Sequence, residues 1–186
     1  MRQLRVFGPC DVLLDDAGVL HANCKLEIRD DAVMASADAG QHCYPLDMQP
    51  GELSLVWATN GAVVRLNGGQ WLSPRLRVRA EGGGLVVLGV MQLFEQLEVE
   101  ANGVGSCVKG ATRAFVRVLR AVLRNDARIT QLYVADDATV MTDNAQRAFA
   151  AIHVHNNTHH DGNGVHIVDV AMHNRRVANW IAGTVA

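Results

Sequence analysis

The stretch Leu76-Arg77-Val78-Arg79 decides the fold, because apolar and charged residues alternate in it at a period of two. Such alternation is typical of a β-strand with one buried and one wet face, since successive side chains point to opposite faces. Similar pairs recur along the chain at an irregular spacing of roughly 20 residues, within the range of repeat architectures. The recurrences are Leu97/Val99, Val116/Val118, Leu132/Val134, Ile152/Val154 and Val168/Val170. We therefore predict short strands whose inward positions share one core.

Turn-forming segments separate the strand-like runs. Gly82-Gly83-Gly84 and Asn102-Gly103 permit positive φ, as tight turns between strands require. Residues 112–124 form the best helix candidate, but their β-branched content and local alternation favour a strand. Residues 35–51 show no clear pattern, and we expect an irregular inserted loop there. The 186 residues suffice for a single β-rich domain, 1–186, and require no second one.

A second repeat is more specific, because a strand, an Asp-Asp-Ala corner and a further strand follow one another three times. The corners begin at Asp15-Asp16, Asp30-Asp31 and Asp136-Asp137. One such unit cannot bury its apolar face alone, so several must stack. The fold class predicted is mainly β, a β-solenoid of short stacked strands. A β-sandwich or barrel with similar hairpin turns is the alternative.

The rhythm of strands and glycines from Leu76 to Val170 resembles that of β-solenoid proteins, notably bactofilins and the putative auto-transporter adhesin head domain. Leu97-x-Val99 followed by Asn102-Gly103-Val104-Gly105 carries the resemblance. The first residues show no apolar run of the kind that an export signal of the adhesin type would have, and the repeat length is irregular, unlike that of bactofilins. Those families are not known as enzymes, so the resemblance implies scaffolding or display.

Composition limits the partners and the cellular compartment that we expect for this chain. Lys and Arg number 17 against 19 Asp and Glu, which gives no electrostatic reason to expect nucleic acid or an anionic membrane as partner. The N-terminal residues lack the apolar run of an export signal, so we expect synthesis and folding in the cytoplasm. The four cysteines form no CxxC pair, and in that compartment we expect reduced thiols.

The histidines form the one local composition that stands out, because six of the eight follow residue 152. On a strand, His153 and His155 would share a face and could provide half of a transition-metal site. His159 or His160, in the segment that follows, could add a third ligand. The His-x-His pair resembles part of a cupin metal site, and also the iron-binding tips of phage tail spikes. A polar strand face with a hydrated turn explains the same residues without any ion, and we favour that interpretation.

Three functions stay open. The leading hypothesis is a non-enzymatic structural or assembly protein, a phage or other virion component in its most concrete form, with protein partners and a homo-oligomeric or larger state. The second is a cupin-like metal-dependent enzyme that uses the C-terminal histidines. The third is a small inhibitor that binds a host protein. Arginines around Arg77 and Arg117 are expected on wet strand faces, where an acidic partner could use them, and Trp57, Trp71 and Trp180 could anchor an interface.

Overall fold

The structure is a computed structural model, and it describes residues 3–29, 32–89, 92–110, 114–130, 132–134, 139–142, 152–154, 166–169 and 179–180. Parallel strands stack into a β-solenoid of about three turns, as the alternation predicts. Within those residues the one helical element is a 3-10 helix at Gly69–Trp71, and no helix is able to cross a membrane.

The strands contain between 2 and 14 residues, and they are numbered here in chain order. They are β1 (Gln3–Phe7), β2 (Asp11–Leu14), β3 (Val19–Arg29), β4 (Ala32–Pro45), β5 (Leu53–Thr59), β6 (Val63–Leu66), β7 (Leu72–Glu81), β8 (Leu85–Leu88), β9 (Gln92–Asn102), β10 (Cys107–Lys109), β11 (Ala114–Arg124), β12 (Arg128–Thr130), β13 (Leu132–Val134), β14 (Thr139–Thr142), β15 (Ile152–Val154), β16 (His166–Asp169) and β17 (Asn179–Trp180). Within the segment 112–124, residues Ala114–Arg124 thus form a strand, as the local alternation favours.

The strands form two sheets. Sheet A has the order β1-β5-β7-β9-β11-β14-β16-β17, with β13 joining β11 to β15, and only its β16–β17 pair is antiparallel among the described strands. Sheet B has the order β12-β10-β8-β6-β2-β3-β4. From β5 to β12 the chain alternates between the sheets. The register partners Leu55, Arg77, Glu98 and Arg120 show that successive turns contain 21 or 22 residues.

Aliphatic ladders fill the space between the sheets. Leu4, Val56, Val78, Val99 and Ala121 are successive register partners across sheet A, and each is at most 1% exposed. The nearly constant turn length explains this stacking from β5 onward, because each new strand places its inward residues beside those of the strand before.

The predicted core is confirmed where the structure describes it. The buried members are Leu76, Val78, Leu97, Val99 and Val116. The side chains of Val118, Leu132, Val134, Ile152 and Val154 lie outside the described part, although their backbones are in strands.

The corners after the sheet A strands also stack. The backbone N–H of Gly82 donates to Asn102 O at 3.3 Å, and that of Gly103 donates to Arg124 O at 3.2 Å. Both glycines have positive φ, as the turn prediction requires. At Gly84 a side chain is excluded for steric reasons instead, because a Cβ there would lie 2.2 Å from Ala58 O. The glycine-rich corners therefore let one turn lie directly on the next.

A hairpin covers the N-terminal end of the stack. Strand β3 pairs antiparallel with β2, and β4 pairs antiparallel with β3 and packs against β1. The predicted irregular loop at 35–51 is therefore wrong for residues 35–45, which belong to β4, whereas 46–51 lie outside the strands. Small residues in β4 carry little local strand signal, and pairing with β3 supplies the hydrogen bonds that make this segment a strand.

A disulfide links this hairpin to the residue that precedes β2. Cys10, just before β2, bonds to Cys24 of β3, with Cα atoms 5.9 Å apart. The expectation of reduced thiols is wrong for this pair, because the antiparallel pairing of β2 and β3 brings two cysteines within bonding distance, which spacing along the chain does not reveal. Cys43 and Cys107 are outside the disulfide.

Candidate functional site

The outer face of sheet A carries charges arranged in columns. Alternation along β7 buries Leu76 and Val78 and turns Arg75, Arg77 and Arg79 outward. The next strand, β9, buries Leu97 and Val99 and in the same way turns glutamates outward. Because the two strands are parallel and in register, a column of arginines lies beside a column of glutamates.

Ion pairs join the two columns. Arg77 Nε donates to Glu98 Oε2 at 2.7 Å, and Arg79 Nε lies 2.6 Å from Glu100 Oε2. Arg75 Nε lies 3.3 Å from Glu95 Oε2, where both side chains are more than half exposed. Pairs as open as these contribute at most about 1 kcal/mol each to stability. They place opposite charges side by side across the two strands.

An aromatic side chain stands at one border of the arginine column. Trp57 of β5 is half-buried, and its ring lies between the guanidinium groups of Arg5 and Arg79, whose Cζ atoms are 5.7 and 5.6 Å from the ring centre. Phe7 packs against the same ring at 5.5 Å. The Trp57 Nε1–H has no hydrogen-bond partner within the described residues. Arg5 has no carboxylate partner there either, and it bonds only Gln3.

The charged face is concave in two places. An open depression of about 480 Å³ lies over β7, β9 and β11, with Arg79, Glu100 and Val122 in its lining. A second, of about 360 Å³, includes Leu55 and Gln96 and shares Arg77 and Glu98 with the first. Sites for small molecules bury most of the ligand surface, which these open depressions do not favour.

The sequence-predicted metal residues are not on this face. His153 lies in β15, with Tyr133 as its register partner, and its side chain is outside the described part. His155, His159 and His160 lie outside the described residues altogether. The metal site therefore stays a prediction. A cupin barrel is built of antiparallel strands, whereas the described turns of this chain pair parallel.

Sequence reasoning found only part of the charged face. The outward position of Arg75, Arg77 and Arg79 is confirmed, and Trp57 was a candidate interface anchor. Arg5 and the opposing glutamates were missed, because their proximity depends on the register between turns. The signal that could have found them is the turn length, since Glu98 and Glu100 each follow their arginine by 21 residues.

The resemblance to solenoid proteins rests on the architecture. Comparison of the chain with protein-family models, with curated proteins and with solved structures gave no match. The stacked parallel turns agree with a β-solenoid, and nothing in the comparisons distinguishes the bactofilin type from the adhesin head type. The chain is therefore assigned to an architecture, the β-solenoid, and to no family.

Proposed function

We propose that the protein is a non-enzymatic structural protein that assembles with copies of itself, and that the outer face of sheet A is the contact. One observation carries this proposal: the arginine column of β7 lies directly beside the glutamate column of β9. A face with two adjacent columns of opposite charge is complementary to itself. Contacts between identical subunits related by a twofold axis require this property.

The symmetry can be stated concretely. A twofold axis parallel to the strands and midway between β7 and β9 lays β7 of one copy over β9 of the other. Arg77 and Arg79 of each copy then face Glu98 and Glu100 of the second. Each guanidinium, already paired within its own chain, would bridge carboxylates of two chains, which suits its planar set of five N–H donors.

The same axis also matches the flanking strands. It lays β5 of one copy over β11 of the other, so that Trp57 stands above Val122 and the depression lined by Arg79 and Glu100. Tryptophan and arginine are enriched among the residues that dominate binding energy.

Charge and apolar contact have different roles in this contact. The arginines and glutamates are already ion-paired within each chain, so the paired columns add orientation and selectivity more than affinity. Trp57, Phe7 and Val122 supply the apolar surface that the contact buries from water. Dissociation should become easier as salt concentration rises, because salt weakens the attraction between exposed opposite charges.

Charge reversal with mixing tests the proposal. In the variant Arg77→Glu/Arg79→Glu both columns are negative, and in Glu98→Arg/Glu100→Arg both are positive. We expect each variant alone to be monomeric, because like columns then face each other. An equimolar mixture should form a 1:1 complex, measured by light scattering after size-exclusion chromatography.

The matched control combines all four substitutions in one chain. It exchanges the two columns, keeps the ion pairs within the chain, and restores self-complementarity, so it should associate like the wild type. Circular dichroism checks that every variant keeps its strand content. If both charge-reversed variants keep the wild-type mass, or if their mixture stays monomeric, the contact is not this face.

A phage or other virion particle is the setting we propose for such a protein. Particles of that kind repeat one self-complementary contact many times, and a rigid stack of parallel turns presents that contact in a fixed geometry.

A further inference from the structure

A cysteine, a histidine and an aspartate meet on the outer face of sheet B. Cys43 of β4 and His21 of β3 are direct cross-strand partners, and Cys43 Sγ lies 3.3 Å from His21 Nδ1. The other ring nitrogen, His21 Nε2, lies 2.7 Å from Asp15 Oδ2. The three side chains thus form a continuous chain of contacts from a thiol through an imidazole to a carboxylate.

Asp15 is held rigidly in the corner between β2 and β3. Its Oδ1 accepts hydrogen bonds from the backbone N–H groups of Ala17 and Val19, both at 2.9 Å. The hydrogen bond from His21, followed by that from Val19, keeps the pKa of Asp15 below its usual value. The carboxylate is therefore ionised at neutral pH, and it can only accept hydrogen bonds.

An ionised Asp15 determines the state of the imidazole. Because the carboxylate accepts a hydrogen bond, His21 Nε2 must carry the proton, which leaves Nδ1 of the neutral ring as an acceptor. That acceptor faces the Cys43 thiol. A base in this position takes the thiol proton and generates the thiolate, the nucleophilic form of cysteine.

The thiol is accessible to large and small reactants. Cys43 is exposed, and its neighbours on β4, Gln41 and Pro45, are exposed as well. The disulfide sulfurs of Cys10 and Cys24 belong to residues only 4% and 6% exposed, so they are poor exchange partners for Cys43. Attack within the chain is thereby disfavoured, and the reactant must come from outside.

We propose that Cys43, His21 and Asp15 form a reactive thiol site whose substrates are external disulfides. In the step, His21 Nδ1 takes the Sγ–H proton and the Cys43 thiolate attacks one sulfur of R–S–S–R. A new S–S bond joins Cys43 to one RS group, the original S–S bond breaks, and the departing RS⁻ takes the proton from His21. One disulfide is consumed and one is formed, so no further oxidant is needed. Cys43 is then the position where the protein carries a mixed disulfide.

The test measures exchange at single cysteines. The native protein is incubated with glutathione disulfide, quenched with acid at intervals, and digested, and mass spectrometry gives the rate of mixed-disulfide formation at Cys43 and at Cys107. Cys107, which is outside the disulfide and half-buried, is the reference within the same chain. We expect His21→Ala to lower the rate of mixed-disulfide formation at Cys43 at least about tenfold, in line with the contribution of a positioned base. The rate at Cys107 should stay unchanged.

Two further measurements separate a base from a structural role. Asp15→Asn keeps an acceptor for the Ala17 and Val19 N–H groups. It should also lower the rate of mixed-disulfide formation at Cys43, because the charge that orients and stabilises the imidazole is lost. Added imidazole should restore part of the Cys43 rate in His21→Ala, which a purely structural histidine would not allow. Equal Cys43 rates in wild type and both folded variants would overturn the proposal, as would slowing that imidazole does not relieve.

Discussion

At the scale of single residues, the fold depends on which side of a strand each side chain occupies. Val99 is 1% exposed and lies between Val78 and Ala121 in the inward ladder, whereas the neighbouring Glu98 and Glu100 face outward. The sequence predicts this division without the structure, because a period of two can be read from residues 76–79 of β7 and from residues 97–100 of β9. Prediction at this scale needs no knowledge of which strands are neighbours.

A substitution in the ladder tests the inward assignment. Val99→Asp places a carboxylate among aliphatic side chains with no partner, and we expect it to lower the free energy of unfolding by about 3 kcal/mol or more. Val104→Asp is the matched control, because Val104 is 79% exposed, and it should change stability by no more than about 0.5 kcal/mol. Urea unfolding followed by circular dichroism measures both. Equal stability of the two variants would mean that Val99 does not face the interior.

At the scale of elements, the hairpin β3–β4 shows why part of the chain could not be predicted. Residues 35–45 carry no strong strand pattern, and they form a strand because β3 provides a pairing edge. The disulfide was missed for the same reason: Cys10 and Cys24 approach each other only once β2 and β3 have paired. Local alternation identified β7, β9 and β11, whose signal lies within each strand.

The disulfide gives a prediction about this hairpin. It closes a loop with a sequence separation of 14, and cross-linking a loop of about 15 residues stabilises a fold by about 3 kcal/mol through the unfolded state. We expect Cys10→Ala/Cys24→Ala to lose about that much stability in urea unfolding, and reductant to have the same effect on the wild type. Cys43→Ala, at an exposed thiol, is the control and should be nearly neutral. Titration of four thiols in the unreduced, unfolded chain would show that the bond is absent.

At the scale of the whole molecule, the regular turn length brings arginines and glutamates that are distant in sequence into adjacent columns. Arg77 and Glu98 are far apart along the chain, and only a turn of 21 residues makes them neighbours. The sequence predicted stacking and outward arginines, but the register between turns depends on corner geometry, which composition does not specify. The paired columns, and the self-complementarity that we propose for them, therefore became visible only in the folded chain.

The mass of the wild-type protein in solution tests the proposed self-association most directly. Light scattering after size-exclusion chromatography at low salt should give at least twice the chain mass of 20.1 kDa, and the mass should fall toward one chain as salt increases. The mass should also fall in Trp57→Ala, because that ring supplies apolar contact area where β5 of one copy lies over β11 of the other. A wild-type protein that is monomeric at low salt and micromolar concentration, with native strand content, would contradict the proposal that the outer face of sheet A joins two copies.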